Sequence, residues 1–142
     1  MEYSKIIDQL YVGIQPDQEL KAELESLGIT ASVNLRQEYD DKAHGLDFPN
    51  YCYLPTIDET PPTLTDLAEG VAFITKVIEN GGQVYIHCAA GVGRAPTMAV
   101  AYLISQGYTL GTALALVREK RPIVQLTKGQ YTILNTFATS IN

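Results

Sequence analysis

Short apolar runs alternate with amphipathic segments along this 142-residue chain. Apolar runs bounded by polar residues or glycine predict strands at 10–13, 31–35, 50–54 and 83–86. Leucines at 20, 24 and 27 predict a helix over 17–27, with Gly28 at its stop. Leu64, Leu67, Val71, Ile74 and Ile78 predict a second helix over 63–79, and further helices are predicted at 94–106, 110–120 and 128–140. Polar loops are predicted at 36–49 and 56–62.

This order of elements predicts an α/β fold. We expect a central, mostly parallel, twisted sheet of about four or five strands flanked by helices. The segment has neither an internal repeat nor a low-complexity linker, so residues 1–142 are expected to form a single domain.

Composition narrows the functional classes. At 46% hydrophobic and 18% charged residues the chain is typical of globular proteins. Its net charge of −6, without a basic stripe, argues against nucleic-acid partners and weighs against highly anionic substrates or membranes. No signal-peptide or membrane-spanning pattern is visible, which favours a cytoplasmic protein without a stable membrane anchor. Two cysteines and two histidines, widely spaced, predict no metal site and no cofactor.

One short segment carries most of the candidate chemistry. The predicted strand at 83–86 is followed by His87, Cys88 and a glycine-containing loop, and the loop ends at Arg94, where a helix begins. Backbone N–H groups of such a loop, with the N-terminus of the helix, form an anion site and favour the thiolate form of Cys88. The guanidinium of Arg94 fits phosphate oxygens in pairs. The predicted phosphate-binding loop comprises Ala89, Ala90, Gly91, Val92, Gly93 and Arg94.

The pattern His87-Cys88-x-x-Gly91-x-x-Arg94 resembles the signature of the cysteine-dependent protein tyrosine phosphatase superfamily. Further segments are similar to dual-specificity phosphatase domains in the same order: 10–13, 54–58, 101–103 and 117–121. The branches it resembles are the phosphatidylglycerophosphate phosphatase-like, through residues 36–40, and the atypical dual-specificity phosphatases. The resemblance implies metal-independent hydrolysis of phosphomonoesters through a cysteinyl phosphate, with the phosphatase loop between a central strand and the following helix.

The same resemblance suggests roles for residues outside the loop. Asp58 stands in the segment similar to the general-acid loop. The alternatives are a solvated loop carboxylate or a cap for the next helix, and we favour the general acid. Glu59 is a weaker candidate for the acid. Asp40 and Asp41 are either a backup acid or surface residues, and we expect them at the surface. His87 is expected to organise hydrogen bonds around the loop.

Three other residues have two interpretations each. Gln130 either caps a helix with Thr127 or positions the hydrolytic water, and we favour the cap. Arg36 lies either near the site or in a salt bridge with Glu38 or Asp40. Cys52 is either a resolving thiol for Cys88 or a buried apolar residue, and we favour burial.

Ala95 departs from the family pattern, which usually has Ser or Thr after the arginine. That hydroxyl helps the cysteine sulfur to leave, so slower turnover of the phosphoenzyme is expected here. Ala89, Ala90 and Val92 place no basic side chain in the loop, which disfavours polyphosphoinositides.

Substrate classes are ranked on this basis. Phosphotyrosine and phosphoserine/threonine proteins, or small phosphomonoesters, come first, and phospholipids such as phosphatidylglycerophosphate come second. A phospho-binding module with slow turnover and a sulfur-transfer or arsenate-reducing enzyme are the remaining alternatives, the latter disfavoured by Asp58. The oligomeric state is left open.

Overall fold

A five-stranded sheet organises residues 2–141, which are the residues that the computed structural model describes. The strands are β1 Tyr3–Ile7, β2 Leu10–Gly13, β3 Ala31–Arg36, β4 Asn50–Thr56 and β5 Val84–His87. The helices are α1 Gln18–Ser26, α2 Leu64–Glu79, α3 Arg94–Ser105, α4 Leu110–Lys120 and α5 Lys128–Ser140. One turn of 3-10 helix covers Asp41–His44.

The strand order is β1-β2-β5-β3-β4, and all neighbours are parallel except β1 and β2. The predicted mostly parallel α/β sheet is therefore confirmed. Strand β1 was not predicted because its buried positions are occupied by Ser4 and Ile6, and a polar residue on the buried side breaks the alternation. The 3-10 turn inside the predicted loop 36–49 was also missed.

The two faces of the sheet carry different cores. Val84 and Ile86 of β5 point to the larger core, which is formed with α2 to α5, because alternate residues of a strand face opposite sides. Tyr85 points to the smaller one, where it meets Leu20 and Leu24 of α1. The apolar faces predicted for α1 and α2 pack into the cores except at Leu27 and Leu64, which lie at the ends of these faces and are exposed.

Helix α3 lies at the centre of the larger core and is buried along almost its whole length. A helix apolar on all sides is expected where other elements surround it, and α3 contacts α2, α4, α5 and the sheet. Tyr102 packs in this core. Within residues 2–141 no helix combines the length and hydrophobicity needed to cross a bilayer.

The carboxyl ends of the four mutually parallel strands meet at one edge of the sheet. Open α/β sheets bind ligands at this edge. The segments that leave it carry Gln15 after β2, Glu38 after β3, Asp58 after β4 and Cys88 after β5. Residues far apart in sequence are thereby brought around one point.

Candidate active site

The loop between β5 and α3 is anchored from outside through its carbonyl groups. Every carbonyl from Ala89 to Gly93 accepts a hydrogen bond from the surrounding framework. Three backbone N–H groups donate: Gln15 N to the carbonyl of Ala89 (3.1 Å), Gln125 N to that of Val92 (3.0 Å) and Thr97 N to that of Gly93 (2.9 Å). The Arg121 side chain donates through Nη2 to the carbonyl of Ala90 (3.0 Å) and through Nε to that of Gly91 (2.8 Å). With the carbonyls turned outward, the N–H groups are left for the inner side of the loop. The N–H groups of residues 89–93 have no hydrogen-bond acceptor within the described part of the chain.

The two loop glycines differ in conformation and in the space around them. Gly91 has φ +66°, and an added Cβ would lie 2.8 Å from backbone atoms of Gly13, so both conformation and space favour glycine. Gly93 lies outside the left-handed region, with φ −128°. A Cβ there would lie 3.1 Å from Gln130 Nε2, so a larger residue would require the Gln130 side chain to shift by a few tenths of an ångström.

Cys88 lies at the base of this loop and is 3% exposed. Its Sγ lies 3.5 Å from the backbone N of Ala95, in the first turn of α3, which donates a hydrogen bond to the sulfur. The N-terminus of α3 therefore faces the sulfur, and its dipole stabilises negative charge there. Because residue 95 is alanine, this backbone N–H is the contact that α3 offers in the place of a hydroxyl.

Arg94 divides its five N–H donors between the protein and the cavity. Glu38 grips the end of the guanidinium, with Oε1 2.9 Å from Nη1 and Oε2 3.1 Å from Nη2, and the Thr56 carbonyl accepts the second Nη1 proton at 2.8 Å. The Nε–H and one Nη2–H remain, and they lie on the same edge of the planar group. That edge is a ready fork for two phosphate oxygens.

Glu38 was not assigned a role from the sequence beyond a salt bridge with Arg36. Its hydrogen bond to Arg94, with a further one from Arg36, lowers the pKa of this carboxyl from 4.5 to about 2. Burial of Arg94 disfavours its charge, but the bond to Glu38 and the nearby Cys88 and Asp58 outweigh this and raise its pKa. The signal available in the sequence was position, since residues 36–40 leave the carboxyl end of β3.

Asp58 lies in a tight turn after β4, in which Thr60 N donates to the Ile57 carbonyl at 3.1 Å. Its Oδ1 accepts a hydrogen bond from Glu59 N at 2.9 Å and lies 3.3 Å from Arg94 Nε. Asp58 thus lies beside the edge of the Arg94 guanidinium that carries the Nε–H group. Glu59 adopts φ +66°, a conformation that is uncommon for a residue with a side chain.

Gln130 is the helix cap that we favoured, and it also reaches the site. Its Oε1 accepts from Thr127 N at 2.9 Å, completing a capping box with the Thr127 hydroxyl. Its Nε2 donates to the Thr60 carbonyl at 3.4 Å, so the same side chain supports the turn that holds Asp58. The role of Gln130 in water positioning stays a prediction.

His87 is paired with Asp41 in full burial, Nε2 to Oδ2 at 2.6 Å. The prediction that Asp41 lies at the surface is therefore wrong, because the 3-10 turn carries it inward beneath β5. Gln15 Nε2 donates to the other Asp41 oxygen at 2.6 Å. Asp40 instead accepts from the hydroxyl of Tyr51 at 2.8 Å.

Arg36 fits both of its interpretations. It forms the predicted salt bridge with Glu38, Nε to Oε2 at 2.9 Å, and its Nη1 donates to Gln15 Oε1 at 3.4 Å. A chain of polar contacts thus runs from Arg94 through Glu38, Arg36, Gln15 and Asp41 to His87. It joins His87, which precedes the loop, to Arg94 at the end of the loop.

A cavity of about 190 Å³ opens above these groups. Its lining residues are Asp58, Glu59, Cys88, Ala89, Ala90, Val92, Gly93, Arg94, Gln125, Thr127 and Gln130. Cys52 is not among them. It is buried in β4, where burial and the carboxylates of Glu69 and Asp66 raise its thiol pKa to about 11, which agrees with the apolar interpretation.

A thiol, backbone amides without acceptors, an arginine edge and a carboxylate lie around one small cavity, and such a set of groups is suited to binding a phosphate group. Comparison with known families agrees. The model described as "Dual specificity phosphatase, catalytic domain" matches residues 10–140. The chain belongs to this family.

Individual relatives are similar at moderate identity. Mouse dual specificity protein phosphatase 1 is 30% identical over 122 residues, which cover 84% of this chain but 33% of the relative. The phosphatidylglycerophosphate phosphatase PTPMT2 of Arabidopsis thaliana is 29% identical over 142 residues, 96% of this chain and 62% of the relative. The solved structure of Tk-PTP in its active form superposes with a TM-score of 0.86 at 28% identity, covering 97% of both chains. The chain therefore spans about a third of the first relative and about three fifths of the second.

Proposed function

We propose that this chain hydrolyses phosphomonoesters through a cysteinyl phosphate, with phosphorylated proteins as its substrates. The observation that carries the proposal is the division of the Arg94 donors. Three are committed to Glu38 and Thr56, and the remaining two have no hydrogen-bond partner within residues 2–141. Arg94 lines the same cavity as Cys88. A phosphate bound on that edge lies between the arginine, the loop amides and the nucleophile.

The first step transfers the phosphoryl group to sulfur. The Cys88 thiolate attacks phosphorus, an S–P bond forms, and the bond from phosphorus to the ester oxygen breaks. Asp58 gives its proton to the departing oxygen, which leaves as an alcohol or a phenol. Arg94 and the loop N–H groups stabilise the charge on the equatorial oxygens.

The second step restores the enzyme. Water attacks phosphorus, the S–P bond breaks, and Cys88 is released as thiolate while inorganic phosphate leaves. The Asp58 carboxylate takes the proton from the attacking water and is ready for the next cycle. In the structure its contact with Arg94 Nε occupies the phosphate-binding edge, so Asp58 must move aside when substrate binds.

Three variants test the assignment. Cys88→Ser is expected to abolish hydrolysis of a generic aryl phosphate, and Arg94→Lys to lose most of it, because lysine offers no edge with two donors. Asp58→Asn should slow substrates with poor leaving groups on the order of a hundredfold and nitrophenyl phosphate far less. Initial rates over a series of leaving groups measure both effects.

Cys52→Ala is the matched control, since it removes the other thiol from a position outside the cavity. It should retain hydrolysis at temperatures well below its unfolding transition. Full activity in Cys88→Ser, or loss in Cys52→Ala with Cys88→Ser still active, would refute the mechanism. Equal slowing of all leaving groups in Asp58→Asn would remove Asp58 as the acid.

Phospholipid phosphates are the second candidate substrate. The similarity to PTPMT2 and the loop of residues 36–40 favour it. The absence of basic side chains at Ala89, Ala90 and Val92 favours proteins. Initial rates on phosphorylated peptides and on phosphatidylglycerophosphate in mixed micelles, each with Cys88→Ser as the blank, rank the two.

A further inference from the structure

The charges around the cavity are unevenly distributed. Its lining includes two carboxylates, Asp58 and Glu59, and within residues 2–141 the lining has one cation, Arg94. Glu38 adds a third carboxylate directly behind Arg94. Lys128 begins α5 beside the lining residue Thr127, but its exposed side chain is not part of the lining.

The single lining cation has no donor to spare for a second anionic group. Glu38 and Thr56 take three N–H groups of Arg94, and the transferred phosphate takes the other two. Arg36 is held by Glu38 and Gln15. A substrate with a further anion near phosphorus therefore meets carboxylates and no compensating positive charge.

Glu59 is placed to act on the leaving group. It follows Asp58 directly, in the turn whose acid protonates the departing oxygen, and its side chain is exposed at the cavity. It makes no ion pair with any residue from 2 to 141. The turn is closed by the Thr60 bonds to Ile57 and supported by Gln130, so the backbone of Glu59 is held at the cavity while its carboxylate forms no ion pair within residues 2–141.

We propose that Glu59 is a specificity residue that selects phosphorylated peptide segments with lysine or arginine beside the phosphorylated residue. The same carboxylate disfavours leaving groups that carry a second anion, such as the phosphodiester of phosphatidylglycerophosphate. This inference rests on the proposed function, since it assigns the leaving group to the Asp58 side of the cavity. It names the substrate class that the site prefers.

The test uses three phosphotyrosine peptides that differ only in the flanking residues, which are lysine, glutamine or glutamate. Values of kcat/KM are measured for the native protein and for Glu59→Gln and Glu59→Lys. Dissociation constants for the same peptides are measured by fluorescence anisotropy on the Cys88→Ser background. Glu79→Gln and Glu79→Lys, at the opposite end of α2, are matched controls for total charge.

The native protein is expected to prefer the lysine peptide over the glutamine peptide roughly fivefold, the scale of one exposed ion pair. Glu59→Gln should remove the preference and Glu59→Lys should reverse it, while the Glu79 variants keep it. The preference for the lysine peptide should shrink in 0.5 M KCl, because the Debye length at this ionic strength is only about 3–5 Å. Phosphatidylglycerophosphate should rank below the glutamine peptide.

Two kinds of failure are distinguishable. If no peptide or aryl phosphate is hydrolysed, the proposed function fails, and the anisotropy series still reports whether Glu59 selects cationic flanks. If hydrolysis occurs but the three peptides are equal, or the preference persists in Glu59→Gln, the specificity proposal is overturned. Faster hydrolysis of phosphatidylglycerophosphate than of all peptides overturns it as well.

Discussion

Arg94 can bind phosphate only if its guanidinium is held in position, and Glu38 is the side chain that binds it. The carboxyl has a pKa of about 2 in the folded chain against an ordinary 4.5, because Arg94 donates to it. A carboxyl whose pKa is lower in the folded chain than in the unfolded chain stabilises the fold. This stabilisation is complete at pH values above the ordinary pKa and is lost as the pH falls through about 2. With the Glu38 side chain 44% exposed, we expect a contribution near that of a surface pair, about 1 kcal/mol or less.

Glu38→Gln should therefore lower the free energy of unfolding above pH 5, and the difference from the native protein should shrink as the pH falls towards 2. Urea unfolding at intervals of pH measures this difference, and carboxylates common to both proteins cancel. Glu69→Gln is the control, since Glu69 makes no ion pair within residues 2–141. A difference that grows on acidification would contradict the assignment.

Ala95 is predicted to slow the departure of the Cys88 sulfur from phosphorus. Its N–H reaches Sγ at 3.5 Å, a weak contact, and its side chain is fully buried and has no donor. Ala95→Ser places a hydroxyl at the first turn of α3, where it stabilises the departing thiolate. We expect a faster second step, seen as a smaller initial burst and a higher steady-state rate with an aryl phosphate. Ala99→Ser, one turn further along α3, is the control, and an unchanged burst in Ala95→Ser would contradict the argument.

Single residues were predictable where their chemistry is contiguous in the chain. Cys88, the loop and Arg94 lie within seven consecutive positions, so their pattern alone indicates an anion site. Glu38 and Asp41 were not predictable in this way. A carboxylate in a polar loop looks solvated, and only the packing of the loop against β5 reveals that Asp41 is buried against His87.

At the scale of elements, the shape of the phosphate-binding loop depends on the hydrogen bonds that its carbonyls accept from neighbouring elements. Arg121, at the end of α4, donates to the Ala90 and Gly91 carbonyls and also to Ser4 Oγ at 3.1 Å. Because it is buried, a replacement leaves polar atoms without partners, at about 1–3 kcal/mol for each. The Ala90 and Gly91 carbonyls are then no longer held outward, and the N–H groups of the loop no longer point to one position.

Arg121→Lys should accordingly lower the free energy of unfolding by about 2–3 kcal/mol and weaken competitive inhibition by inorganic phosphate. Arg118→Lys is the matched control on the same helix, where the arginine is exposed and bonds the Tyr131 hydroxyl. Chemical denaturation and inhibition constants are the measurements. Unchanged phosphate inhibition in a folded Arg121→Lys would show that the loop holds its shape without this anchor.

Elements with a regular apolar repeat were the predictable ones. Helix α2 was found within one residue of its bounds, because its apolar face continues over four turns. Strand β1 and the 3-10 turn were missed, since one is half polar and the other is a single turn set by tertiary contacts. Both matter at the site, as β1 supplies Ser4 to Arg121 and the turn supplies Asp41 to His87.

At the scale of the whole molecule, the sheet collects residues that no local pattern connects. Gln15, Glu38, Asp58 and Cys88 each follow a different strand, and the parallel arrangement brings the four ends together. The sequence predicted a phosphatase loop between a central strand and the following helix, and that loop lies at this edge. The connections across it, from Arg94 to His87, depend on side-chain geometry and could not be read from the order of elements.

The net charge of −6 acts on every substrate before it reaches the cavity. A phosphate dianion approaching an acidic protein is repelled, and added salt screens the repulsion because the Debye length falls from about 30 Å at 0.01 M to about 8 Å at 0.15 M. We therefore expect kcat/KM for an aryl phosphate to rise about two- to threefold over this range of KCl concentrations. A protein that attracts its anionic substrate electrostatically would show a fall.

The matched comparison is a phosphorylated peptide of net positive charge, for which kcat/KM should fall over the same range. Opposite slopes separate the field of the molecule from a general effect of salt on the reaction, which would move both substrates in one direction. Charge reversal at Glu79, remote from the cavity, should flatten both slopes slightly, and reversal at Glu59 should flatten them more because that carboxylate lies at the cavity. A falling rate with aryl phosphate would show that the local field of Arg94 and the loop outweighs the net charge.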